Sequence, residues 1–165
     1  MSQTAYTTYM TAAFPGMLAD IGENSILSYV NEEATANLPF GVALAKGTAD
    51  NQFLAMVNGS SVIIGVSVHT HQVDPGQVAS SPAGAGIPPK YAAGVLTRGR
   101  IYVQVEEAVT PASSVYVRHT SGAGGTQKGA IRASADTATA VAWTAARFLT
   151  SAGAAGFAVL EVNLP

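Results

Sequence analysis

Between Gly94 and Arg118 the chain reads GVLTRGRIYVQVEEAVTPASSVYVR, and the alternation within this stretch constrains the fold more than any other feature. Ile101, Val103 and Val105 alternate with Tyr102, Gln104 and Glu106, and Val115 and Val117 alternate with Tyr116 and Arg118. A period of two sets branched aliphatics on one face of a strand and polar or amphipathic side chains on the other. Between the two runs, Thr110-Pro111-Ala112-Ser113 is turn chemistry, because proline donates no ladder hydrogen bond and its small polar neighbours favour bends. The stretch predicts a β-hairpin with one buried face, and a buried face fixes register.

Shorter signals of the same kind flank it. Leu38 to Lys46 predicts a strand entered through Pro39, with Phe40, Val42 and Leu44 on one side. Asp50-Asn51 and Asn58-Gly59 bracket a short strand from Phe53 to Val57. Val62 to His69 predicts another, with Ile64, Val66 and Val68 inward and Gly65 and Ser67 outward. Gly156 to Leu164 predicts the last, with Leu160, Val162 and Leu164 on one face. Asp74 to Pro89 and Ser121 to Gly129 are rich in Gly, Pro and Ser and predict loops. Residues 134–150 are divided: their alanines favour helix, whereas Thr137, Thr139, Val141, Trp143 and Thr144 favour strand. The expected fold is all-β, a small β-barrel or jelly-roll-like sandwich of about seven to nine short strands with an extended N-terminal arm. At 165 residues the chain suits one domain. Residues 1–37 are expected as the arm and 38–165 as a single β domain.

Charge is scarce. Only 11% of residues are charged while 48% are apolar, so Ser, Thr, Gly, Ala and Asn must cover most of the surface. A free monomer usually leans on Lys and Glu for solubility, so much of this surface is expected to lie against neighbouring protein. Residues 1–45 carry Asp20, Glu23, Glu32 and Glu33 and no basic side chain; the remainder carries eight basic and six acidic ones. No basic stripe tracks along the sequence, which argues against nucleic acid as a partner. No apolar run is long enough to cross a bilayer, and Met1-Ser2-Gln3-Thr4 opens no secretory signal, so no membrane partner is expected and synthesis in a cytoplasm is. Cysteine is absent, which removes disulfides, thiolate metal sites and cysteine nucleophiles.

Catalytic and cofactor motifs fail on inspection. The Gly122 to Gly129 loop lacks the Gly-Lys-Ser/Thr ending of a phosphate-binding loop, and Ser67 in GVSVH lacks the second glycine of a nucleophile elbow. Glu106 and Glu107 are adjacent, so in a strand they face opposite ways and cannot act together as acid and base. His69-Thr70-His71 places two imidazoles on one strand face, where they could share a metal with His119 as a third ligand. No carboxylate stands beside them, and the favoured reading is a pair of exposed hydrogen-bonding groups. No cofactor is expected, and no enzymatic activity. Tyr6, Tyr9, Met10, Phe14, Met17 and Leu18 are too many large apolar groups for a solvated tail, while Pro15-Gly16 breaks any long element. Either the segment lies on another surface or it folds back on its own barrel.

Four blocks, TAAFPGMLADIG, GVALAKGTADNQ, the 94–118 stretch and GFAVLEVNLP, together resemble the tailed-bacteriophage capsid cement (decoration) protein family, along essentially the whole chain. The resemblance implies a β-barrel or jelly-roll-like protein on the outer face of an icosahedral shell, a homo-oligomer (dimer or trimer) that bridges subunits of the major capsid protein. On that reading Tyr6, Tyr9, Met10, Phe14, Met17 and Leu18 are the expected capsid or subunit contacts. The alternative is a receptor- or carbohydrate-binding virion appendage on a β-sandwich. It would call for aromatic platforms on loops, and Asp74 to Pro89 has none.

Overall fold

The longest alternating run in the sequence becomes the longest strand and the hub of the molecule. The computed structural model describes residues 13–70, 86–121 and 127–165. Among these there are ten strands and no helix: β1 (Ser25–Asn31), β2 (Ala43–Lys46), β3 (Gln52–Leu54), β4 (Ile63–Ser67), β5 (Ala92–Gln104), β6 (Tyr116–Arg118), β7 (Ile131–Arg132), β8 (Ala140–Ala142), β9 (Ala146–Phe148) and β10 (Phe157–Asn163). The first half of β5 pairs with β1 along one edge and β4 along the other, both antiparallel. Its second half pairs with β10, from Arg98 opposite Asn163 to Gln104 opposite Phe157. Because β1 also pairs with β3, β3 with β2 and β2 with β4, the five strands β1-β3-β2-β4-β5 close into a barrel. β10 and β9 extend the sheet beyond it, and a separate sheet runs β7-β6-β8.

The barrel wall is apolar on both sides. Tyr29, Leu44, Phe53, Ile64 and Val95 come one from each barrel strand and meet in a single cluster with Leu38, Phe40, Val42, Ile87 and Ala93, which makes that cluster the barrel interior. Ala43, Ala45, Val66 and Leu96 belong to a second cluster, with Ile101, Val103, Val105, Val117, Ile131, Trp143, Phe148, Leu160 and Val162. That second core lies between the barrel's outer face and the small sheet. Each fully buried aliphatic or aromatic side chain contributes roughly 1.5–3 kcal/mol.

Several expectations are corrected by this arrangement. The alternation in 94–118 is real, since Ile101, Val103, Val105, Val115 and Val117 are all buried, and the turn closes with Ser113 N–H donating to Thr110 O (2.9 Å). The two runs do not pair as a hairpin. Both edges of β5 are occupied by other strands, and β6 pairs with β7 and β8. Gly65 and Ser67 are buried and do not face outward, because β4 is a wall between two cores. Ser67 meets its polar need locally: its hydroxyl donates to Pro39 O (2.9 Å) and accepts from Val42 N–H (3.1 Å). In 134–150 the β preference prevails, giving β8 and β9. Ser25–Asn31, within the stretch expected as an arm, supplies β1 of the barrel. Residues 13–24 precede it as a docked, largely irregular segment.

Candidate functional site

The docked segment is held by its backbone. Gly16 N–H donates to Tyr102 O (2.8 Å), Tyr102 N–H to Met17 O (2.8 Å) and Ala19 N–H to Arg100 O (2.9 Å), so the segment runs antiparallel along β5 with Leu18 opposite Ile101. His69 N–H donates to Gly16 O (2.8 Å), tying the same residue to the end of β4. Gly16 has φ 82°, and a Cβ there would stand 2.8 Å from both His69 N and Ser67 O. Only glycine permits this approach. Pro15-Gly16, a break in the sequence reading, is the point at which the segment docks.

Of the expected contact residues, Phe14 is 52% exposed at the outer end of this segment. Its ring stacks on His69 at 6.2 Å, and His69 lies 4.8 Å from Phe40 on the other side. Met17 and Leu18 are half-buried, and Leu18 packs on the outer core of its own barrel. Tyr6, Tyr9, Met10 and His71 lie outside the described residues. His119 has Nδ1 2.9 Å from Thr120 Oγ1. Among the described residues no three His, Cys, Asp or Glu side chains come together in a way that could hold a metal ion.

Two charge clusters were not visible in the sequence. The first locks the small sheet. Arg118 on β6 is 3% exposed and Arg132 on β7 is 7% exposed. Arg118 Nε donates to both Glu106 oxygens (2.8 and 2.9 Å) and its terminal nitrogens to Asp136 (2.6 Å) and Thr139 (2.9 Å). Arg132 donates to Glu106 and Asp136, each at 2.9 Å, and pairs with Glu107 at 3.3 Å. Burial disfavours the Arg118 charge, but the hydrogen bonds to Asp136 and Glu106 outweigh it and raise its pKa. Asp136 is held below the usual carboxylate range, first by its bond from Arg118 and then by Thr139. Glu107 is likewise lowered: burial opposes ionisation, but bonds from Ser134 and the Ala133 N–H prevail.

The second cluster is an exposed cross-strand row. Arg147 on β9, Glu161 on β10 and Arg100 on β5 stand opposite one another, and Arg100 also pairs with Asp20 at 3.0 Å. Glu161 is lowered chiefly by its bond from Arg147. Asp20, Glu23, Arg98, Arg100, Glu161 and Asn163 line an open groove of ≈ 430 Å³ beside this row. The groove mixes both signs of charge. Apolar side chains are also left outside: Ile21, Ile26, Leu27, Val62 and Tyr91 are exposed. β1 carries two of them. It was missed because SILSYVN does not alternate, although its β-branched and aromatic residues are a strand signal.

A closed five-stranded barrel with a second core, a backbone-docked N-terminal segment and a cross-strand row of paired charges make the described residues an all-β protein. Over residues 1–163 the chain matches the family model described as Structural cement protein (E217 gp24/Pam3 gp6), and it belongs to that family. It is a structural protein of a phage capsid. No curated protein matches the chain. A chain in the solved structure described as "The capsid of Myoviridae Phage XM1" superposes with a TM-score of 0.70, covering 98% of this chain and 97% of its own, at 16% identity. At that identity the likeness is one of fold.

Proposed function

We propose that this protein cements the outer face of a phage shell: it acts without catalysis, binding as a homo-oligomer across neighbouring subunits of the major capsid protein. The observation that carries the reading is the family match along almost the whole chain, from the first residue to 163. The fold agrees with it physically. Among the described residues the barrel closes on its own core and Phe14 stays 52% exposed, so the apolar groups of the arm are read as anchors for a neighbouring subunit. Aromatic anchors in pockets tend to dominate interface energy. Each oligomer would make several such contacts at once, and high effective concentration turns modest contacts into slow release.

The test is co-sedimentation with undecorated shells of the parent phage. Protein lacking residues 2–12 keeps Gly16 and Leu18 and is expected to fold and melt as the full chain does, yet to leave the shells bare. Normal decoration by the truncated protein would remove the arm from the mechanism. Failure of the full chain to bind any shell would remove the cement reading itself.

A further inference from the structure

Asn58-Gly59 is the only Asn-Gly pair in the chain, and it sits in the turn between β3 and β4. Asn58, Gly59 and Ser60 are all exposed. Ser61 N–H donates to Asn58 O (3.2 Å), which closes the turn, and Ser60 N–H donates to Asn58 Oδ1 (2.9 Å). The second bond makes an Asx turn, which folds the carboxamide back over the Gly59 peptide. Among the described residues, neither Gly59 N–H nor Asn58 Nδ2 has a hydrogen-bond partner.

His119, just past β6, reaches the same turn from another part of the fold. A Cβ placed on Gly59 would stand 3.5 Å from His119 Nε2 and 3.8 Å from its Cδ2, so the ring lies over the glycine. Its Nδ1 is 2.9 Å from Thr120 Oγ1. Donation from Nδ1 to that hydroxyl leaves the ring's lone pair on Nε2, on the Gly59 side. The turn therefore assembles what a ring closure needs. It offers an unhindered nitrogen with a base beside it, a carbonyl whose oxygen is already held, and an amine free to leave.

We propose that Asn58 is a self-modification site, at which the fold converts the asparagine to aspartate and isoaspartate with water as the only co-reactant. His119 Nε2, directly or through one water, takes the Gly59 amide proton, and Gly59 N attacks Asn58 Cγ. The new C–N bond puts negative charge on Oδ1, where the Ser60 N–H stabilises it. The Cγ–Nδ2 bond then breaks, and the nitrogen leaves as ammonia with the proton returned by the imidazolium. Water opens the resulting succinimide at either carbonyl. One opening gives aspartate; the other routes the main chain through the former side chain as isoaspartate. Either product adds one negative charge to a chain of formal net charge -2, on a turn flanked by the exposed Val57 and Val62. Asparagines on neighbouring elements lack the combination. Asn31 makes the same Asx turn, with Glu33 N–H donating to its Oδ1 (3.0 Å), but it is fully buried and Glu32 follows it. Its Nδ2 is committed to Ile87 O (3.0 Å) and Pro88 O (3.1 Å). Asn24 Nδ2 is likewise held, by Asp20 O (3.1 Å) and Gly22 O (3.0 Å), and Ser25 follows it.

The test is timed incubation of the purified full chain at neutral pH, followed by peptide mapping. The peptide carrying Asn58 is expected to become about 1 Da heavier and to split into two products, one of them a substrate for an isoaspartyl methyltransferase. Peptides carrying Asn24 and Asn31 should stay unchanged. His119→Gln is expected to slow the conversion at least about tenfold, less than a positioned base often contributes because solvent also reaches the turn. Were His119 only a prop, its loss would free the turn and leave the rate equal or faster. Gly59→Ala adds a methyl that meets only the His119 ring, at ordinary contact distance, so the fold is kept. It too should slow the reaction, by crowding the attacking nitrogen. An Asn58 peptide that stays unchanged in the folded protein, while the same chain converts in urea, overturns the proposal. So do equal rates in the parent and His119→Gln. If His119→Gln fails to fold, Gly59→Ala decides, and a rate equal to the parent's overturns the proposal as well. None of these readouts involves shell binding, so the result stands apart from the cement reading.

Discussion

The barrel interior and the three-stranded sheet hold short strands in place by different means. Inside the barrel, Leu44, Phe53 and Val95 pack against one another with no charged group among them. The sheet of β6, β7 and β8 has strands of only two or three residues, and buries Arg118 and Arg132 beside Glu106, Glu107 and Asp136. Ladders this short are marginal by themselves. Apolar packing stabilises without regard to pH, whereas a buried ion network costs desolvation and repays it only while every partner is present and charged. The network therefore contributes orientation as much as stability: both arginines reach the same two carboxylates, which fixes β6 against β7 and pins the turn that carries Asp136.

That difference can be broken by substitution, and the largest effect is expected in the barrel. Phe53→Ala removes a fully buried ring where all five strands meet, and should cost about 3–5 kcal/mol in urea unfolding, the same at pH 7 and at acid pH. Arg118→Met leaves Glu106 and Asp136 to Arg132 alone and should cost about 3 kcal/mol at neutral pH, shrinking in acid as Asp136, whose pKa the arginine lowers, takes up its proton. An Arg118→Met penalty as large at pH 3 as at pH 7 would mean that packing, not charge, carries the sheet.

The joint between the two regions comes next. Gly129 has φ 83°, its carbonyl accepts the Ala43 N–H (2.9 Å), and a Cβ there would stand 2.4 Å from Ala43 O. Gly129→Ala should cost about 1–3 kcal/mol. It should speed amide exchange at Val117 and Ile131 before it does so at Phe53; uniform acceleration would show that the two regions open as one.

Acid alone gives the smallest effect. Asp136 and Glu107 are depressed in the folded state from ordinary values of 3.8 and 4.5. A depressed carboxylate contributes stability above its unfolded pKa and loses it as pH falls through the folded one. The parent should therefore lose thermal stability only below about pH 4.5, and Arg118→Met should flatten that decline. Both carboxylates are partly exposed, so screening keeps the change modest.

The sequence by itself determined the strand character and the buried faces. Alternation at Ile101, Val103 and Val105, and again at Leu160 and Val162, reports which side chains leave water, because burial depends on a local period of two. The all-β class, the turn at Thr110 to Ser113 and the poverty of charge were legible for the same reason. Pairing was not. Whether β5 meets β6 or β10 depends on which edges are free once the barrel closes, and that is decided by contacts between residues far apart in the chain. Nor was the burial of Ser67, whose polarity predicts exposure until Pro39 and Val42 supply its hydrogen bonds. The ion network was hidden in the same way. Glu106, Arg118, Arg132 and Asp136 look like ordinary surface charges in sequence. Asp136, Thr137 and Ala138 all take positive φ, a conformation costing roughly 1–2 kcal/mol per residue that local preference would not select. Only the packed sheet, which sets two buried guanidiniums beside Asp136, makes that backbone the lower-energy choice.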